Sequence, residues 1–192
     1  LGRRRRMIRR PAVAGAFYTD DPDELRTEVD GFLGRQARSP ALATLAPHAG
    51  YSYSGSVAGA ANGRVAIPRD VILVSFSHAG LGAPFAVWPD GEWETPLGRA
   101  PVNAELCAEI LNLPGFKSDT HAFTGEHSGE VQVPFLRWRN PLVRIAAMVC
   151  RSDDEREFAE VGEAVARVIA SAGEPVLVVA STDMSHYIPA AD

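Results

Sequence analysis

Cysteine is scarce in this 192-residue chain, with Cys107 and Cys150 its two examples. That excludes a disulfide scaffold and a zinc ribbon built on four cysteines. Lysine is scarcer still: Lys117 stands alone against 18 arginines, a bias of genome composition without functional content. No apolar run reaches the ~20 residues that a membrane helix requires. Several familiar signatures are missing too. There is no HExxH, no CxxC, no Walker lysine and no GxGxxG after a strand, and GxSxG does not occur as a nucleophile elbow. No repeat, low-complexity linker or composition shift marks a second domain.

What is present is ordinary globular composition, 46% hydrophobic and 22% charged. The length fits one domain, large enough to bury a core without staples. The net charge of -5 conceals an asymmetry, because six of the 19 basic residues are Arg3, Arg4, Arg5, Arg6, Arg9 and Arg10. The rest of the chain carries 13 basic against 24 acidic residues, no surface for nucleic acid. An arginine run can bind phosphate or address a chain to a compartment. Met7 sits inside this one, so residues 1–6 are read as lying upstream of the natural start. Residues 1–9 are expected to form a flexible basic extension before a single domain over 10–192. No apolar stretch follows the arginines as a secretory signal would require. A soluble, cytoplasmic protein is the expectation.

Periodicity supplies the framework. Asp20-Asp21-Pro22-Asp23-Glu24 is a helix start, with acids at the positive dipole end and a proline in the first turn. Leu25, Val29, Phe32 and Leu33 recur at helical spacing up to Gly34. Residues 41–46 read as a buried strand and 54–65 as the helix after it. Val71-Ile72-Leu73-Val74-Ser75-Phe76 is a strand apolar on both faces. Residues 85–97, with Trp88 and Trp93 around Pro89-Asp90-Gly91, predict a hairpin or long loop. A short amphipathic helix is expected over 103–113, a strand over 143–149, a helix over 153–172 and a strand over 176–180. Strands alternating with helices give an α/β fold whose mixed, largely parallel sheet is flanked by helices.

The chemistry-bearing residues gather where those strands end. Pro47-His48-Ala49-Gly50-Tyr51 follows the first, Ser77-His78-Ala79-Gly80 the second, and Ser181-Thr182-Asp183-Met184-Ser185-His186 the last. In open α/β sheets, ligands bind outside the carboxyl ends of the strands. Gly125-Glu126-His127-Ser128-Gly129-Glu130 adds an imidazole between two carboxylates. The same stretch also reads as a plain helix start, with Thr124 or Ser128 as cap and both acids serving the dipole. His121 lies in a polar loop and reads as solvated. Core placement is expected for Cys107 and Cys150, although Cys150 ends a strand and could reach the crevice.

Further segments carry a resemblance. These are Arg10-Pro11-Ala12-Val13-Ala14-Gly15-Ala16-Phe17-Tyr18, the stretch Ala46 to Gly55, Ser77-His78, Glu94-Thr95-Pro96-Leu97-Gly98, Glu126 to Leu136, and Ser181 to Tyr187. In this order and spacing the chain resembles the Memo family, whose bacterial and archaeal members are called AmmeMemoRadiSam system protein B. The resemblance implies a fold like that of class III extradiol dioxygenases, a sandwich that holds non-haem iron. It implies metal ligation by His48 and His78 together with a cysteine near the family's C terminus. His127, Glu130, Asp183 and His186 are the expected catalytic groups. Where this chain has Ser75-Phe76 the family usually has Gly-Pro, and it usually has Ile at the place of Gly129 and Ser at that of Thr182. The family also continues beyond the point where this sequence stops: either the sequence is a fragment, or the third ligand comes from elsewhere, with Asp183 or His186, and less readily Cys150, as the substitutes.

The expected function is therefore that of a metal-binding redox protein carrying iron or copper, with zinc the lesser candidate. A small molecule or peptide would occupy the cleft, and radical-SAM and AMMECR-type proteins are the implied partners. Neither nucleic acid nor membrane is expected as a partner. Two other readings stay open: a non-catalytic binding or scaffold protein using the same cleft, and a metal-dependent hydrolase.

Overall fold

Asp21 opens the first helix as the acidic cluster predicts. Its carboxylate accepts hydrogen bonds from the backbone N–H groups of Asp23 and Glu24, each at 2.9 Å, and α1 then runs Pro22–Leu33. The apolar stripe Leu25, Val29 and Leu33 is fully buried, and Gly34 (φ 59°) ends the helix. In this computed structural model, residues 7–186 are described. Residues 1–6 of the expected extension, and Tyr187 of the last motif, lie outside them.

The remaining elements follow in chain order around α1. Strand β1 is Ile8–Arg9, followed after α1 by β2 (Ala43–Ala46), α2 (Tyr51–Gly63), β3 (Asp70–Phe76) and β4 (Phe85–Val87). Next come β5 (Glu92–Thr95), β6 (Gly98–Pro101), α3 (Ala104–Leu111) and β7 (Phe116–Ser118). The chain then forms α4 (Val133–Arg139), β8 (Arg144–Cys150), α5 (Glu155–Ser171) and β9 (Val176–Ser181). Asp154 caps α5 through the N–H of Arg156, and extended Ala172 ends it.

The main sheet has the order β2-β9-β3-β8-β4-β7. Its pairs are parallel except β4 with β8, so the expected mixed, largely parallel sheet flanked by helices is what forms. Val71, Ile72 and Leu73 of β3 face Ile145, Ala146 and Ala147 of β8 on one side and Leu177, Val178 and Val179 of β9 on the other. Within the described residues, no helix is long and apolar enough to cross a membrane.

Two expectations are corrected. Residues 85–97 do not pair with one another as a hairpin. All three residues of β4 are buried, and it enters the main sheet between β8 and β7. Strand β5 alternates buried and half-buried residues and pairs instead with β1 and β6 in a three-stranded sheet. A fully apolar strand suits a covered sheet interior, and an alternating one suits a half-covered ribbon. The basic extension also ends earlier than expected, since Ile8 and Arg9 are paired with Glu92 and Trp93. Gly91 (φ 98°) permits that pairing, because a Cβ there would overlap the backbone of Met7.

The helix after the first histidine is seated by small residues. A side chain at Gly55 or Gly59 of α2 would overlap Phe32 of α1, and one at Gly63 would overlap the carbonyl of Leu33. The two helices thus meet nearly backbone to backbone. They share a second apolar core in which Leu25, Val29, Leu33, Tyr51 and Ala58 pack with Phe135 of α4. Gly59→Ala should therefore cost about 1–3 kcal/mol through overpacking, seen as a lower urea midpoint at unchanged slope. Gly162→Ala on exposed α5, where nothing lies within 4 Å, should be neutral or stabilising by up to about 1 kcal/mol.

Candidate functional site

Strands β2, β9 and β3 are neighbours and run parallel, so their carboxyl ends open on one side of the sheet. The loops leaving them deliver His48, Asp183 and His78 to that rim. His127 arrives from the turn before α4. The imidazoles of His48 and His78 have ring centres 5.1 Å apart, those of His78 and His127 4.3 Å, and those of His48 and His127 5.9 Å. Sequence positions 48, 78 and 127 therefore converge on one cluster.

A buried network orients His48. The Ser181 hydroxyl has one proton, and it is directed at the Ser128 carbonyl 2.5 Å away. Gln132 Nε2 donates to Ser181 Oγ at 3.0 Å and to the Pro47 carbonyl at 2.8 Å. With its proton spent on Ser128, Ser181 Oγ meets His48 Nδ1 at 3.3 Å as an acceptor. Nδ1 thus carries the imidazole hydrogen, and Nε2 keeps its lone pair. Asp183 Oδ1 accepts from the His48 backbone N–H at 2.8 Å, and Oδ2 stands 3.8 Å from His48 Nε2.

Glu126 orients His78 in the same manner. It is 2% exposed. Oε2 accepts from the His78 backbone N–H at 2.7 Å, and Oε1 from the Ser128 N–H at 2.8 Å and His78 Nδ1 at 3.0 Å. A carboxylate so placed fixes the Nδ1–H tautomer and leaves Nε2 available. His127 packs between Phe17, at 4.6 Å, and His78. On the opposite side, His186 Nε2 is 3.1 Å from Asp183 Oδ2.

Electrostatics match this geometry. Burial lowers the pKa of His48, against the opposing pull of Asp183. Burial, reinforced by His78, lowers that of His127. Both rings are neutral at pH 7, the form that binds metal. Burial alone would raise Glu126, but the hydrogen bonds from His78 and Ser128 together hold it below the ordinary carboxylate value. Among the described residues, His78, Glu126 and His127 form a trio with ligand-type atoms within 4.8 Å of one another.

Other expected residues are placed differently. Glu130 belongs to another network. It is 1% exposed, and its oxygens accept from Arg9 and Ala12 N–H at 2.7 Å, Tyr18 Oη at 2.9 Å and Val13 N–H at 3.0 Å. It pins the N-terminal segment that carries Phe17 onto His127. Burial and the adjacent Glu130 push the Tyr18 phenol far up, which keeps it a donor. Cys107 and Cys150 are buried in the main core, their thiols pushed up by burial to about 12, so neither offers a thiolate. His121 is exposed as expected. Ser128 does not cap a helix but donates to the Phe76 carbonyl at 2.7 Å.

Glu126, Ser181, Gln132 and Phe17 emerge from the structure as residues that shape the site. Glu126 stood out in the triplet Glu126-His127-Ser128, whereas Phe17, Gln132 and Ser181 entered only as members of the segments that carry the resemblance. Two departures from the resemblance also touch: a Cβ at Gly129 would lie 3.2 Å from Ser75 Oγ. A hydroxymethyl at 75 thus occupies space that a side chain at 129 would use. Beside Asp183 and His186 lies a cleft of about 680 Å³, walled by Leu45, Tyr53, Val57 and Met184.

Removing Glu130 strands a buried guanidinium and several donors. Glu130→Ala should therefore cost about 3–5 kcal/mol in chemical denaturation. A loss under about 1 kcal/mol would contradict the clamp.

Residues 9–191 match the family model for Memo-like protein. A MEMO1 family protein of Aquifex aeolicus is 40% identical over 187 residues, covering 95% of this chain and 69% of the relative. One from Methanothermobacter thermautotrophicus is 38% identical over 197 residues, covering 95% and 71%. Another from Pyrococcus furiosus is 38% identical over 192 residues, covering 94% and 66%. With its histidines at adjacent strand ends and a family match over nearly its whole length, the chain belongs to the Memo family.

Proposed function

We propose that the histidine cluster is a metal centre for iron or copper, held by His48 and His78, and that the protein is a non-haem redox protein acting on a small molecule or peptide in the adjoining cleft. One observation carries this reading. Both imidazoles are tied through Nδ1, to Ser181 and to Glu126, and so offer Nε2 with rings 5.1 Å apart. Anchoring the outer nitrogen is the usual support for a metal-binding histidine. Imidazole donors suit iron, copper and zinc alike, so the residues present fit the group.

When bound, iron or copper would supply electron transfer at an open coordination position. The chain's own groups would do the rest. Asp183 holds the His48 backbone and faces His186, whose side chain is 62% exposed. That pair links the buried His48 to solvent as a path for protons. The apolar wall of Leu45, Val57 and Met184 would bind substrate and exclude water from one side. Phe17, held by the Glu130 clamp, limits movement of His127.

The apolar cleft also favours a second reading, a binding protein that performs no chemistry. Elemental analysis after anaerobic loading with Fe(II) or Cu, beside a His48→Ala/His78→Ala variant, separates the two. About one iron or copper per chain, lost in the variant, is the expected result. Zinc alone would move the assignment to hydrolysis, and no metal in either protein would leave the binding reading.

A further inference from the structure

We infer that the pole of the fold opposite the histidine cluster, which carries Arg35, Arg38, Arg64 and Arg69, is a docking surface for an acidic face of a partner protein, whether or not the cluster binds metal.

Neither Asp nor Glu occurs from Gly31 to Arg69 or from Val131 to Ser152, in a chain whose net charge is -5. Folding joins the arginine-bearing parts of these two stretches. The Ser39 N–H donates to the Arg64 carbonyl and the Ala66 N–H to the Ser39 carbonyl, each at 3.0 Å, which sets Arg38 beside Arg64. Arg139 Nη2 donates to the Gly63 carbonyl at 3.0 Å. The Asn140 side chain donates to the carbonyls of Ile67 and Pro68 at 3.1 and 3.0 Å, next to Arg69. Helix α2 begins just after His48 and ends here at Gly63, so its 13 residues put this pole about 20 Å from the cluster.

The charges gathered here are unpaired. Arg35, Arg38, Arg64 and Arg69 are exposed, and among the described residues none of the four makes a side-chain hydrogen bond or salt bridge. The bordering acids are committed. Asp30 accepts from Trp138 Nε1 at 3.1 Å, and buried Asp70 is paired with Arg144 and Asn103. Burial, reinforced by Arg38, lowers the pKa of Arg139 against the pull of Asp30, so guanidinium groups repel one another at this pole. Cations gain from the dipole at a helix C terminus, but that gain fades beyond the last turn. It reaches neither Arg38, after α1, nor Arg69, after α2.

A guanidinium is a planar fork that meets a carboxylate with two parallel hydrogen bonds, and arginine is the cation enriched in protein interfaces. Leu142, 75% exposed, follows Asn140 closely and offers an apolar contact beside the charges. A nucleic-acid duplex or an anionic bilayer is an extended polyanion and meets the whole molecule, whose net charge is -5. A local acidic face engages the arginines alone, because exposed charges more than about 8 Å away are screened at physiological salt.

A fluorescein-labelled oligoglutamate peptide, followed by fluorescence anisotropy at low salt, tests this. The wild type should bind it with an affinity that falls as salt rises. Arg35→Gln/Arg38→Gln/Arg64→Gln/Arg69→Gln should bind about tenfold or more weakly, with a thermal midpoint unchanged or raised. Arg3→Gln/Arg4→Gln/Arg5→Gln/Arg6→Gln removes the same charge from outside the patch and should stay within about twofold of the wild type. Absence of binding by the wild type, binding kept by the patch variant, or equal losses in the two variants would overturn the assignment. Tighter binding of a DNA duplex, or of phosphatidylglycerol vesicles, through the same four arginines would overturn it too, and would give the surface to a nucleic acid or a membrane.

Discussion

A carboxylate withdrawn from water can stay ionised only where donors converge on it, and Glu126 is such a group. Its three hydrogen bonds come from the His78 backbone, the His78 ring and the Ser128 backbone. They join the loop after β3 to the turn before α4, and both of those segments carry imidazoles. The requirement to satisfy one buried charge thereby brings His78 and His127 together and chooses the His78 tautomer. Ser128 extends the same constraint, because its carbonyl takes the Ser181 proton and leaves Ser181 to accept from His48.

One turn further on, Glu130 solves the same problem with different partners and to a different end. Its donors belong to the N-terminal segment, and satisfying them fastens residues 9–18 over the helical core. Phe17 is then carried against His127. Sheet, N-terminal segment and α4 are thus coupled through two acids of one short stretch. The glycine contact between α1 and α2 seats the helix that begins just after His48. Each imidazole is placed by groups from at least two elements.

Much of this was legible in the sequence. Apolar strands ending in His48, His78 and Asp183 pointed to one sheet rim, because parallel strands open their carboxyl ends on the same side. The helix over 22–33 was signalled by its cap and its stripe. What could not be read was the division of labour between Glu126 and Glu130. Both sit in one polar stretch, and their difference lies in partners more than 40 residues away in sequence, His78 for one and Arg9 for the other. Strand β1 was hidden for the same reason, since two residues carry no periodicity and pair through tertiary contact. Ser181 and Gln132 looked like ordinary polar residues, and their value comes only from the carbonyls they meet. The strands around Gly91 misled because a turn signal does not say which sheet each flank will join.

The central claim is that the fold, before any ion arrives, holds His48 and His78 with Nδ1 protonated and Nε2 bare. Long-range proton–nitrogen NMR correlation on the metal-free, nitrogen-15-labelled protein near pH 8 reads each tautomer directly. The account predicts the Nδ1–H form for both rings, with His48 losing that preference in Ser181→Ala and His78 in Glu126→Gln. Nε2–H tautomers in the wild type would mean that the lone pairs face Ser181 and Glu126 and not one another, and the metal-centre account would not stand.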